Sequence, residues 1–155
     1  MQQKNKGGRR TGRRRALEVL FGVNFAAVES MDELRRSFNQ TPEHNEEQEP
    51  STDGGRLEFA WMLVAGVWEN SVELDETITK FSQHWKIRRI ARIELTILRL
   101  ALFEMLYQDD VPLKVAINEA VELAKRFGDD NSKNFVNGIL DAVAKAIDNG
   151  ELRVR

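Results

Sequence analysis

Cysteine is absent from the 155-residue sequence, which removes disulfides, thiolate metal ligands and a cysteine nucleophile together. The lack of disulfides fits a reducing cytoplasm. Long apolar runs are missing too: no stretch approaches the ~18 residues that a membrane-spanning helix needs. The basic N-terminus is not followed by an apolar segment of signal-peptide type, because Glu18 and Asn24 interrupt the stretch from Ala16 to Phe25. The expected address is therefore the cytoplasm, with no membrane partner. Histidine is scarce: His44 lies among acidic residues and His84 beside Trp85, without metal-pair spacing, so a histidine acid–base or metal site finds no support. Neither a Walker loop nor a Gly-x-Gly-x-x-Gly turn is present. Glu119 and Glu122, three apart, read better as one solvated and one salt-bridged glutamate than as a catalytic pair. No catalytic residue, metal ligand or cofactor is assigned.

What is present is an ordinary globular composition with an uneven charge distribution. Apolar residues make up 41% and charged residues 31%, the proportions of a chain that folds rather than one that stays disordered. The formal net charge of -2 conceals two blocks of opposite sign. Lys4, Lys6, Arg9, Arg10, Arg13, Arg14 and Arg15 carry no acid among them, whereas Glu43, Glu46, Glu47, Glu49 and Asp53 crowd one segment. Local sign, more than the total, says which partners are attracted.

Apolar residues recur at three- and four-residue steps, and no period-two strand pattern of any length appears. The spacing predicts a flexible basic tail over 1–8, then a helix from about Arg13 with Leu17, Leu20, Phe21, Asn24 and Val28 on its stripe. Ser30 with Asp32 and Glu33 signals a short helix from Met31 to Phe38. Residues 39–54 hold almost nothing apolar and read as an acidic loop. Further helices are expected over Leu57–Asn70, where Gly66 implies close packing against another helix, and over Ser71–Trp85. Ile93–Tyr107, apolar on nearly every side, reads as the central helix. Leu113–Phe127, closed by Gly128, and a last helix with Val136, Ile139, Leu140, Val143 and Ile147 inward complete the set. Residues 150–155 are expected to fray. The fold class is all-α.

Three constellations stand out. Arg9, Arg10, Arg13, Arg14 and Arg15 put five guanidinium groups into seven residues, the first pair ahead of the predicted helix and the rest in its first turn. That end of a helix already carries positive charge, so the run suits an anion, and the guanidinium fork takes phosphate oxygens bidentately. Asn131, Asn134, Phe135 and Gly138 fall at helical steps of three and four on one side of the last helix, away from its core stripe. An aromatic ring flanked by amides can stack an unpaired base and read its edge, and Lys133 is counted with the RNA-binding candidates by its place in the segment and not by this face; the alternative is a Phe135 tucked under a neighbouring helix with the asparagines as caps. Glu94 and Glu104 share a face of the central helix with Ile97, Ala101 and Gln108, and an acidic strip there is expected at a surface or partner interface. Arg99 reads as structural, paired with a carboxylate such as Glu119.

The run Ile93-Glu94-Leu95-Thr96-Ile97-Leu98-Arg99-Leu100-Ala101-Leu102-Phe103-Glu104-Met105 resembles the central helix of the NusB antitermination family. Asp110-Val111-Pro112, Val115–Lys125 and Phe135-Val136-Asn137-Gly138-Ile139-Leu140 follow in the family's order, and the Arg-rich start with Ala16–Phe21 matches too. The resemblance implies two packed helical subdomains, about 9–81 and 82–149. It implies binding of single-stranded boxA RNA jointly with NusE, a small-subunit ribosomal protein, within the RNA polymerase antitermination complex that serves chiefly ribosomal RNA operons. By position, Arg9–Arg15 correspond to one RNA-contacting region of the family, and Asn131, Asn134 and Phe135 to the other; Phe21 and Glu94 match its NusE side. Asn131 replaces a commonly acidic residue, and the 39–54 loop is unusually long. The family includes dimers, and a homodimer would mask the RNA surface in the free protein. Two other readings stay open: a protein–protein scaffold without specific RNA binding, and the NusB-like domain fused to RNA cytosine methyltransferases. The chain lacks the Gly-rich turn and catalytic cysteine that the latter needs.

Overall fold

Helices account for every regular element among residues 3–24, 27–41, 54–82 and 86–154, the parts of the chain that the computed structural model describes. The bulk of the predicted acidic loop, both histidines and Trp85 lie outside those residues. The chain divides into two compact units, Met1–Ala65 and Gly66–Arg155, rather than near residue 81.

In the first unit, α1 (Gln3–Val23) begins well before the predicted start near Arg13. Apolar spacing alone could not show this, because the buried stripe of Ala16, Leu17, Val19 and Leu20 fills only the later turns. The earlier turns are held by arginine instead: the Arg9 and Arg13 guanidinium carbons lie 5.3 and 5.5 Å from the centre of the Phe59 ring. α2 (Met31–Gln40) has a reciprocal N-terminal cap. The Glu33 N–H donates to the Ser30 hydroxyl at 3.2 Å, and the Glu33 carboxylate accepts from the Glu29 N–H at 2.8 Å, two contacts that satisfy otherwise orphaned donors. Leu34 and Phe38, four apart, are its buried residues, and Phe38 meets Trp61 of α3 (Gly54–Glu69) edge to face at 5.5 Å.

The second unit is built around α5 (Arg92–Tyr107), which packs on α4 (Ser71–Phe81), α6 (Leu113–Phe127) and α7 (Ser132–Asp148). Burial on all sides follows from its composition: Ile97, Leu98, Leu100, Leu102 and Met105 are each at most 2% exposed. Each such side chain is worth roughly 1.5–3 kcal/mol of burial. A short 3-10 helix, Ile87–Arg89, precedes α5. The expected close approach at Gly66 is found, since a Cβ added there would run into the Phe103 ring. Arg99 does have a structural role, but its partner is Asp75 on α4 and not Glu119. Nε and Nη2 donate to the two carboxylate oxygens at 2.6 and 2.7 Å. The Tyr107 hydroxyl donates to Glu73 at 2.6 Å along the same seam, and these bonds explain why α4 belongs with this unit.

Gly128 ends α6 with extended backbone, φ -94°, rather than left-handed; its lack of a Cβ leaves room for the Ser132 side chain. α7 buries Val136, Ile139, Leu140 and Val143 as the spacing predicts, while Ile147 is half-buried. Its end is capped: Gly150 adopts φ +76°, its N–H reaches Ile147 O at 3.1 Å, and the Glu151 N–H reaches Ala146 O at 2.9 Å. This pair of bonds is the Schellman arrangement. Residues 150–152 are therefore tied to the helix instead of fraying.

Candidate nucleic-acid interface

The arginine run lies inside α1, not at its first turn, so the backbone N–H groups of the helix start do not join it in an anion site. Arg10 is exposed, Arg9, Arg14 and Arg15 are half-buried, and Arg13 is 5% exposed. Burial of Arg13 departs from the expectation of five cations presented together; its guanidinium lies over the Phe59 ring. Arg15 is held as well: its Nη2 donates to Phe38 O at 3.0 Å, with the guanidinium 4.7 Å from that ring's centre. Arginine stems pack while the head remains charged, so α1 divides its cations between structure and surface. Sequence reasoning passed over Arg35, exposed and 4.6 Å over the Trp61 ring. An arginine at helical spacing from Phe38 was the available signal.

The start of α7 carries the second set of candidates. Asn131, Lys133, Asn134 and Gly138 are exposed and Phe135 is half-buried. The turn that aims them is built by Asp129 and Ser132. Asp129 accepts from the Asn131 N–H at 2.9 Å, and the Ser132 hydroxyl, 1% exposed, accepts from the Asp129 N–H at 3.0 Å. Asn131 makes no side-chain cap bond, so its amide is not engaged in capping the helix, as the alternative reading required.

The predicted acidic strip of α5 splits. Glu94, in the first turn, is half-buried. Burial pushes its carboxyl above the ordinary value, and the Asp129 carboxylate adds to that, against hydrogen bonds from the Ser132 hydroxyl and the Ala91 backbone. Glu94 therefore adjoins the turn that carries Asn131. Glu104 is 1% exposed, which corrects its assignment to a partner-facing surface: a helix buried on all sides has no outer face at that turn. Phe21 is half-buried near the end of α1. Among the described residues no group of acids and histidines could hold a metal ion, and no helix is long and apolar enough to cross a membrane.

Comparison with known proteins gives a consistent picture. The NusB family profile matches residues 10–145. A protein of Desulfovibrio desulfuricans described as transcription antitermination protein NusB is 53% identical over 154 residues, covering 97% of this chain and 93% of its own. One of Myxococcus xanthus with the same description is 42% identical, covering 91% and 97%. Among solved structures, T. maritima NusB superposes with a TM-score of 0.76 at 32% identity, covering 93% of this chain and 97% of that one. A chain from a crystal structure of antitermination factors NusB and NusE in complex with dsRNA matches in fold, with a TM-score of 0.73 at 23% identity over 91% and 98% of the two chains.

Proposed function

The chain belongs to the NusB family, and from that premise we propose that it is a non-catalytic RNA-binding transcription antitermination factor. It engages single-stranded boxA-type RNA together with NusE, as part of the antitermination complex on RNA polymerase in the cytoplasm, chiefly at ribosomal RNA operons. The relatives' shared description as antitermination proteins supports the process. The crystal of NusB and NusE with dsRNA supports NusE and RNA as the classes of partner.

One observation carries the reading for this chain: the start of α7 presents Asn131, Lys133 and Asn134 to solvent around a half-buried Phe135. A nucleobase stacks on the ring, and the amides reach its edge. Phosphate contacts position the strand without reading it; on α1 they fall to Arg10, with the solvent-facing parts of Arg9 and Arg14. Glu94 and Phe21 face NusE, and self-association would cover the RNA surface until RNA competes. The burial of Glu104 leaves the scaffold reading without its acidic strip.

The test is a fluorescence titration of a short boxA-like RNA, with and without NusE, against wild type and Phe135→Ala. Loss of the ring is expected to weaken binding by on the order of 1–3 kcal/mol and to reduce preference over a scrambled RNA. Equal affinity of both proteins for both RNAs would overturn the assignment.

A further inference from the structure

Three cations take no part in the reading above. Lys86 leads into the short 3-10 helix, Arg88 and Arg89 lie within it, and all three are exposed. A 3-10 helix repeats every three residues, so Ile87 and Ile90 share one side. Ile90 is 6% exposed and Ile87 half-buried, making that side the inner one. The outer sides are left to Lys86 with Arg89, also three apart, and to Arg88. Backbone bonds hold the turn, from the Arg89 N–H to Lys86 O at 2.8 Å and from the Ile90 N–H to Ile87 O at 3.1 Å. Among the described residues, no carboxylate pairs with any of the three. Like charges gathered on one turn repel until an anion covers them.

The place of this turn within the second unit indicates which anion. Glu94 stands five positions after Arg89, at most about 18 Å of chain, and its carboxyl lies near enough to Ser132 and Asp129 for both to act on it. Ser132 lies between Asn131 and Lys133 at the start of α7. A strand with a base on Phe135 thus carries neighbouring phosphates within reach of the turn, and guanidinium forks take phosphate oxygens in pairs. We propose that Lys86, Arg88 and Arg89 form a phosphate-backbone subsite for single-stranded RNA, continuous with the base-reading start of α7. This proposal rests on the RNA-binding reading above.

The experiment compares the whole chain as wild type, Lys86→Gln/Arg88→Gln/Arg89→Gln and Phe135→Ala. Each is titrated with a boxA-like and a scrambled single-stranded RNA over a range of salt, with circular dichroism as the control for folding. Each phosphate contact to a single strand contributes about 0.7 to the slope of log affinity against log salt. The triple variant is expected to lose about 2 from that slope and to bind both RNAs more weakly by a similar factor. Phe135→Ala is expected to keep the slope and lose the preference. Should the triple variant misfold, Arg88→Gln/Arg89→Gln substitutes, with a loss of about 1.4. A wild-type slope in the variant, while Phe135→Ala weakens binding, overturns the subsite and leaves the functional reading intact. No RNA binding by wild type overturns both. Loss of NusE binding with RNA titrations unchanged assigns the patch to protein and overturns the proposal.

Discussion

Glu94 shows how one side chain reports on its surroundings. Its carboxyl sits above the ordinary range because burial disfavours the charged form and Asp129 repels it. A raised pKa in the folded state means that the fold holds this proton more tightly than the unfolded chain does. The resulting stability is present below about pH 4, near the unfolded carboxylate value, and is lost as pH rises through the elevated pKa. Glu94→Gln keeps an oxygen to accept from Ser132 and removes the charge. The variant is expected to melt higher than wild type at neutral pH, with the gap closing in acid; a gap independent of pH would contradict this account. Arg99 is the opposite case, a charge whose partner is fully formed. Its role was legible because a cation on an otherwise apolar helix needs a carboxylate. Its partner was not, because several acids lay within reach of sequence reasoning and only packing selects Asp75.

At the scale of elements, legibility followed the source of each helix's stability. α5 and α7 are held by apolar burial, which shows in the sequence: α5 is apolar on nearly every side, and the inward residues of α7 follow the predicted stripe apart from half-buried Ile147. In α1 the turns around Arg9 and Arg13 set arginines over Phe59, a long-range contact that leaves no period, and the helix starts earlier than the apolar spacing predicts. Glu104 was misjudged for a related reason: three- and four-residue spacing shows which residues share a face, not whether anything covers it. At α7 the N-terminus allows a prediction with two signs. Asn131→Asp places a negative charge where the helix dipole favours it, worth roughly 0.3–1 kcal/mol, so the melting temperature should rise slightly. The same charge stands beside the proposed path of the phosphates, so affinity for a boxA-like RNA should fall several-fold. Melting and titration of the one variant check both signs.

For the molecule as a whole, the arginines of α1 are sorted by burial rather than acting as a uniform block. Arg10→Gln, at an exposed position, is expected to cost less stability than loss of a buried arginine and to lower the salt slope of RNA binding by about 0.7. Arg13→Gln, which uncovers Phe59, should cost about 1–2 kcal/mol of stability. If both variants behave alike in melting and in titration, the division between packing and surface cations fails. Net charge of -2 therefore understates the attraction of an RNA strand, whose phosphates meet the local field of exposed cations and not the sum over the chain.

The contact between Gly66 and Phe103 also bears on how the sequence can change over time. Neither position can vary alone: a methyl group at 66 has no room while the ring at 103 remains, and a smaller residue at 103 opens a void while 66 stays glycine. Enlargement of the one and reduction of the other must arrive together or pass through a weakened intermediate. The two sites, 37 residues apart in the chain, form a single heritable unit, so an alignment of relatives should show their side-chain volumes varying in opposition.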